Sequence, residues 1–126
     1  MIGSTRQLTV YAYGAPADLR KGFDGLYALV VGELKRNPLG GDLFVFVSRN
    51  RHRAKVLFWD GTGLCVYAKR LERGCFACLW QEKTSGPLRL TMSELQLFLE
   101  GSTAVGRIAL SPPAFVQKTL ASFVQA

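Results

Sequence analysis

The stretch from residue 43 to residue 71, LFVFVSRNRHRAKVLFWDGTGLCVYAKRL, constrains the fold more than any other. Three apolar runs lie in it, at residues 43–47, 56–59 and 64–68. They are rich in Val, Phe, Leu, Trp and Tyr, which suit a pleated, half-buried surface. Asp60, Gly61, Thr62 and Gly63 separate the last two runs, and these residue types tolerate the positive φ of a tight reversal. Ser48, Arg49, Asn50, Arg51, His52 and Arg53 separate the first two. Connections this short join only antiparallel neighbours. The stretch therefore predicts a three-stranded meander with a cationic loop at one end and a glycine-rich turn at the other.

The rest of the chain predicts what packs on that meander. Residues 6–13 alternate loosely and read as a first strand. Gly14, Ala15, Pro16, Ala17 and Asp18 break it. A helix follows, from about Leu19 or Gly22 to Lys35, with Phe23, Leu26, Tyr27, Val30 and Leu34 as its apolar stripe. Asp18 is placed to cap or charge-complement its start, and Lys35 and Arg36 suit its C-terminal end. Gly22, Gly25 and Gly32 each weaken it by about 1 kcal/mol relative to alanine, which suggests close backbone packing onto the sheet. Asn37 and Pro38 end it. Residues 75–80 read as a fourth meander strand, residues 81–87 as an exposed polar loop and residues 88–90 as a short strand.

Thr91, Met92, Ser93 and Glu94 have the pattern of a capping box. Leu90 and Leu95 take the hydrophobic-staple positions, and Gly101 suits a left-handed C-terminal cap. A short helix over residues 92–100 follows. Residues 102–113 read as a linker. Phe115, Val116, Leu120, Phe123 and Val124 then fall near helical spacing, and Pro113 can open that helix. The expectation is an α+β fold: a mostly antiparallel sheet of four or five strands around the central meander, with two or three helices. Residues 1–101 form one domain, and residues 102–126 a linker and C-terminal helix.

Charge points to the partner. The 126 residues carry a net charge of +7. Arg49, Arg51, Arg53, Lys55, Lys69, Arg70 and Arg73 fall in one segment, against only Asp60 and Glu72. A concentrated basic patch favours polyanions, nucleic acid first. Arg49, Arg51 and Arg53 alternate through the loop, where they could contact several phosphates. Lys55 opens the next strand. Lys69 and Arg70 end the third strand, so one of them shares a face with the other cations. Arginine suits bidentate phosphate contacts. Trp59 and Tyr67 could stack bases on an open face, or pack on the sheet. The competing reading of the basic residues is a solvated edge that blocks strand-to-strand aggregation. Arg20 and Lys21 sit at the helix start, where cations are unfavourable. They answer either an external phosphate or the flanking Asp18 and Asp24.

Catalytic chemistry finds little support. Metal-dependent phosphoryl transfer needs carboxylates that hold two ions. Here Asp18 and Asp24 lie at the first helix, Asp42 and Asp60 in turns, and Glu94 in a cap. His52 is the sole imidazole and has no evident metal-binding partner. Cys75 and Cys78 have the spacing of half a zinc site, with no second pair. With Cys65 they make an odd number of cysteines, read as reduced, buried thiols. No phosphate loop of the GxxxxGK type exists, and no nucleophile–histidine pair can be argued from spacing. The expectation is a protein without cofactor, metal or enzymatic activity; a small metal-dependent nuclease is the remote alternative. No apolar run is long enough to span a membrane, and no signal-peptide pattern opens the chain, so a cytoplasmic location is expected.

Three blocks taken together resemble a known family. They are residues 18–26 (DLRKGFDGL), the meander with Phe58, Trp59, Asp60 and Gly61 and then Tyr67, Ala68, Lys69, Arg70, Leu71 and Glu72, and residues 90–101. In this order the chain resembles the small accessory protein of the insertion-sequence-66 family of bacterial transposons, the TnpB type. The resemblance covers residues 11–101. It departs from the family pattern after Gly74, where members have a Trp-Pro-like segment. It implies a bacterial protein encoded beside a larger transposase and needed for efficient transposition, with no known chemical activity. The combined expectation is a DNA-binding accessory protein. Its candidate contacts are Arg49, Arg51, His52, Arg53, Lys55, Lys69 and Arg70, with Arg20 and Lys21. The alternative is an adaptor that recruits or assembles the transposase.

Overall fold

The computed structural model describes residues 8–80 and 88–101. The elements are β1 (Val10–Ala12), α1 (Phe23–Gly32), β2 (Leu43–Val47), β3 (Arg53–Trp59), β4 (Leu64–Arg70), β5 (Leu88–Leu90) and α2 (Met92–Leu99). The five strands form one sheet in the order β4-β3-β2-β1-β5. The central meander is present as expected, and every pairing is antiparallel except that of β1 with β2. That parallel pairing follows from α1, which carries the chain across the sheet between the two strands.

Strand alternation divides the side chains between two faces. Tyr11, Phe44, Phe46 and Leu57 meet Leu26, Val30 and Leu34 from α1 and its exit. Val10, Ala12, Val45, Val47 and Val56 meet Leu95, Leu97 and Phe98 from α2, together with Phe76, Ala77 and Leu79. Both faces of β2 are therefore buried, which is why it reads as an unbroken apolar run. Leu26, Phe44, Phe46, Phe76 and Phe98 are fully buried, and Phe76 stacks on Phe98 at 5.1 Å.

Several expectations need correction. Residues 75–80 are not a strand; they form an irregular segment whose apolar side chains cover the α2 face. The three cysteines are free, but half-buried rather than buried. α1 is shorter than its periodicity suggested, because the chain turns after Gly32. Lys35 takes a left-handed conformation (φ 57°), and the Arg36 N–H closes back on the Val30 carbonyl at 3.1 Å. Asp18 does not cap α1: Gly22 is the N-cap and supplies no side-chain bond. Phe23 lies on the open side of the helix, 51% exposed. Gly22 and Gly32 do not pack closely on the sheet: a Cβ at either would meet nothing, and the nearest atoms to one at Gly25 belong to the Lys21 side chain.

The capping box of α2 is complete. Thr91 Oγ1 accepts from the Glu94 N–H at 3.0 Å, and Glu94 Oε1 accepts from the Thr91 N–H at 2.8 Å. Leu90 and Leu95, at the staple positions, are buried. The expected linker and helix over residues 102–126 and the loop over residues 81–87 lie outside the described residues.

Candidate nucleic-acid interface

The basic residues gather where β3 and β4 end beside the loop of residues 48–52. Arg53 stands directly opposite Arg70, and Lys55 opposite Ala68. Directly opposed residues share a face, so Arg53, Lys55 and Arg70 project together on the α1 side. Arg70 Nε lies 3.2 Å from Glu72 Oε2, in a pair whose side chains are 61% and 77% exposed. The Lys55 ammonium donates to the Lys21 carbonyl at 2.9 Å and ties this corner to the entry of α1. Leu19, Arg53, Lys55, Ala68 and Arg70 line a surface hollow of about 280 Å³.

The loop is tied down by its own polar groups. Ser48 Oγ accepts from the Arg53 N–H at 3.2 Å and donates to Asn50 Oδ1 at 2.8 Å. Asn50 Oδ1 also accepts from the His52 N–H at 3.0 Å. Arg49 stands exposed at the tip. Arg51 turns the other way, in a left-handed conformation with φ 62°. Its guanidinium donates to the Phe76 carbonyl at 3.2 Å, and its own carbonyl accepts from the Phe76 N–H at 2.7 Å. Arg49, Arg51 and Arg53 therefore do not splay as a set, because Arg51 is engaged in pinning the irregular segment under the sheet. His52 is exposed, with Nδ1 3.2 Å from the Gly74 carbonyl oxygen and 3.8 Å from Cys75 Sγ.

Lys69 falls on the opposite face from Arg70. It pairs with Ala54, and its ammonium donates to the Leu99 carbonyl at 2.7 Å, at the C-terminal end of α2. Tyr67 shares that face and is 48% exposed, whereas Trp59 is half-buried on the α1 side. Arg20 makes a two-point contact with Asp18, both bonds at 2.9 Å. That pair holds the Asp18 carboxyl down to about 2, chiefly through the Arg20 side-chain bond. Lys21 is exposed beside it.

Asp60 organises the far turn. Its carboxylate accepts from the Thr62 and Gly63 N–H groups at 2.9 and 2.8 Å. Those backbone bonds hold its carboxyl down to about 2. Burial, and then the Asp60 charge, push the neighbouring Cys65 thiol up. Among the described residues, no three His, Cys, Asp or Glu side chains gather as metal ligands would, and no helix is long and apolar enough to cross a membrane.

A family model described as "IS66 Orf2 like protein" matches residues 8–106. The chain belongs to the IS66 Orf2-like family. The match spans the whole described domain, from Leu8 through both faces of the sheet to Gly101. It makes this chain an accessory protein associated with insertion-sequence transposition. Two relatives from Sinorhizobium fredii (strain NBRC 101917 / NGR234) are similar over 101 residues each. "Uncharacterized protein y4jC" is 36% identical, over 80% of this chain and 85% of its own length. "Uncharacterized protein y4hO" is 37% identical, over 80% and 86%. No solved structure matches the chain significantly.

One feature of the IS66 Orf2-like chain escaped sequence reasoning. Arg36 and Arg89 both lie over the Tyr11 ring, at 4.5 and 5.7 Å from its centroid. The alternation of Leu88, Arg89 and Leu90 was the available signal, since it sends Arg89 to the face opposite its apolar neighbours.

Proposed function

We propose that this accessory protein binds DNA through backbone phosphates, using Arg49, Arg53, Lys55 and Arg70, with Arg20 and Lys21 at the rim. The supporting observation is the direct opposition of Arg53 and Arg70 on one face. Like charges directly opposite across two strands are destabilising. Only the exposed Glu72 bridges to either guanidinium among the described residues. A polyanion relieves that repulsion, and guanidinium forks suit phosphate oxygens. Such contacts position a duplex and carry little base specificity. Lys69, on the opposite face of the sheet, and Arg51, turned to the Phe76 carbonyl, fall outside the contact set.

The test is fluorescence anisotropy of a transposon-end duplex and a scrambled duplex across a salt series. Four phosphate contacts give a slope of about −3.6 in log affinity against log salt. Replacing Arg53 and Arg70 together by glutamine removes two contacts, so the slope falls by about 1.8. Unchanged affinity and slope in that variant overturn the proposal.

A second reading, a protein-binding adaptor for the transposase, is favoured by a groove of about 380 Å³ between β4 and α2. Tyr67 and Met92 line it, 48% and 43% exposed. On that reading, charging the groove with Met92→Glu abolishes co-purification with the transposase, while Arg53→Gln with Arg70→Gln leaves it intact.

A further inference from the structure

The geometry points to a second phosphate-binding site, a cradle made by the Arg36 and Arg89 guanidinium groups and the Tyr11 hydroxyl. Three observations converge. First, two guanidinium carbons lie within 4.5 and 5.7 Å of one ring centroid, so they are at most 10.2 Å apart. One cation suffices to cover an aromatic face; a second of like sign on the same ring is unfavourable unless something negative joins them. Second, neither guanidinium has a hydrogen bond or a carboxylate partner among the described residues. Glu33, the acid nearest to Arg36 along the chain, makes no ion pair with it. Third, the Tyr11 ring is buried and stacked on Phe44 at 5.7 Å. Its hydroxyl makes no hydrogen bond among the described residues, and no buried side-chain oxygen there lacks a partner. The hydroxyl therefore reaches solvent, where it can donate.

The fold holds these groups in place. Arg89 is directly opposite Tyr11 in the β1–β5 register. Arg36 is swung back over the sheet by the left-handed Lys35. Rigid elements on both sides fix the backbone positions of both arginines before any ligand arrives. Two guanidinium groups over one ring, with a hydroxyl donor on that ring, offer the donors and the double positive charge that suit a phosphate monoester or diester.

In its nucleic-acid form the inference rests on the function proposed above and extends it. Arg89, Tyr11, Phe44 and Leu57 lie in one row across the sheet, and Arg53 is four residues along β3 from that row. Three strand steps of ~4.8 Å and four residues of ~3.3 Å put the two arginine pairs roughly 20 Å apart. That is about six base pairs of duplex. The pairs mark the two ends of α1, with Lys21 at one end and Arg36 at the other. One duplex lying along α1 can meet both pairs at once, whereas a free phosphate ester can occupy only one of them.

The test uses the full chain with ¹⁵N-labelled arginine. The Nε–H resonances of Arg36, Arg89, Arg53 and Arg70 are followed while a duplex of about 16 base pairs, long enough to span both pairs, or inorganic phosphate is added. The expected result is that the duplex shifts all four, and that Arg36→Gln with Arg89→Gln lowers the salt slope by about 1.8. Tyr11→Phe keeps the ring and loses only the hydroxyl, so duplex affinity falls about three- to tenfold. A thermal melt of each variant separates loss of fold from loss of binding. If the duplex shifts Arg53 and Arg70 but leaves Arg36 and Arg89 unmoved, the cradle is refuted and the proposed function stands. If no arginine responds to the duplex, the proposed function fails. A saturable response of Arg36 and Arg89 to inorganic phosphate then retains the cradle as a site for a free phosphate ester, and no response refutes it.

Discussion

Replacing Arg51 separates structure from binding within the basic loop. The residue lies among cations, yet its guanidinium donates to the Phe76 carbonyl at 3.2 Å. The Phe76 side chain is fully buried, and its N–H is bound in turn by the Arg51 carbonyl at 2.7 Å. A charge-assisted hydrogen bond of this kind contributes about 1.5–3 kcal/mol. Arg51 is only half-buried, so water can replace part of it, and about 1–2 kcal/mol is the expected loss in Arg51→Ala. For a domain of this size that lowers the melting temperature by roughly 3–10 °C. The left-handed backbone at Arg51 (φ 62°) supplies an internal control. Such a conformation costs a residue with a Cβ about 1–2 kcal/mol, and glycine escapes that cost. Arg51→Gly therefore loses the same hydrogen bond but regains about 1 kcal/mol, and melts above Arg51→Ala. Urea unfolding with an unchanged m-value, alongside the anisotropy salt series, reads both effects. The DNA slope is expected to stay as in the unsubstituted chain under conditions where each variant is folded. An Arg51→Ala protein with unaltered stability and a slope reduced by about 0.9 refutes this reasoning and returns Arg51 to the phosphate contacts.

Other outcomes follow from the same geometry. The Asp18 and Asp60 carboxyls are each held down to about 2, so their contribution to stability is complete above the unfolded-state value of about 3.9 and is lost as pH falls through about 2. Asp60→Asn, which keeps an acceptor in the turn, flattens the stability profile across that window in acid-titrated denaturant melts. Thr91→Ala removes one half of the α2 capping box and costs about 1 kcal/mol in urea unfolding. Lys69→Met frees the Leu99 carbonyl at the end of α2; thermal stability falls by roughly 1 kcal/mol, while the salt slope for DNA is unaltered.

The parts of the fold legible in the sequence were those decided locally. The meander followed from apolar runs joined by connections too short for anything but antiparallel pairing. The capping box at Thr91 and Glu94 fixed the start of α2 because both of its bonds close within three residues. What escaped was decided at a distance. Residues 75–80 carry the apolar density of a strand, but such a run looks the same whether it pairs at an edge or packs across a face. Here it packs across the face, held by Arg51 from 25 residues away. The role of Arg51 was hidden for the same reason, compounded by a positive φ that no glycine announced. Lys69 and Arg70 show a middle case. Alternation guaranteed that the two would part, but only the register opposite Ala54 and Arg53 says which one joins the cations.

The register also bears on why a basic accessory protein concentrates its cations at this corner. On the α2 face, α2 and the irregular segment pack against the sheet, and Lys69 donates to the Leu99 carbonyl beside the groove where Tyr67 stays exposed. The α1 face is covered over its middle by Leu26, Val30 and Leu34, and α1 starts only at Phe23. The last rung of β3 and β4 is therefore left open, and Arg53 and Arg70 occupy it. Their backbones are fixed by the ladder, and Ser48 and Asn50 fix the adjoining loop. Binding a phosphate chain there orders side chains but not main chain, which keeps the entropic cost of association small. The same reasoning applies at the other end of α1. Arg89 sits in the ladder and Arg36 in a closed helix exit, so arginines on fixed backbone flank both ends of α1 before any polyanion arrives.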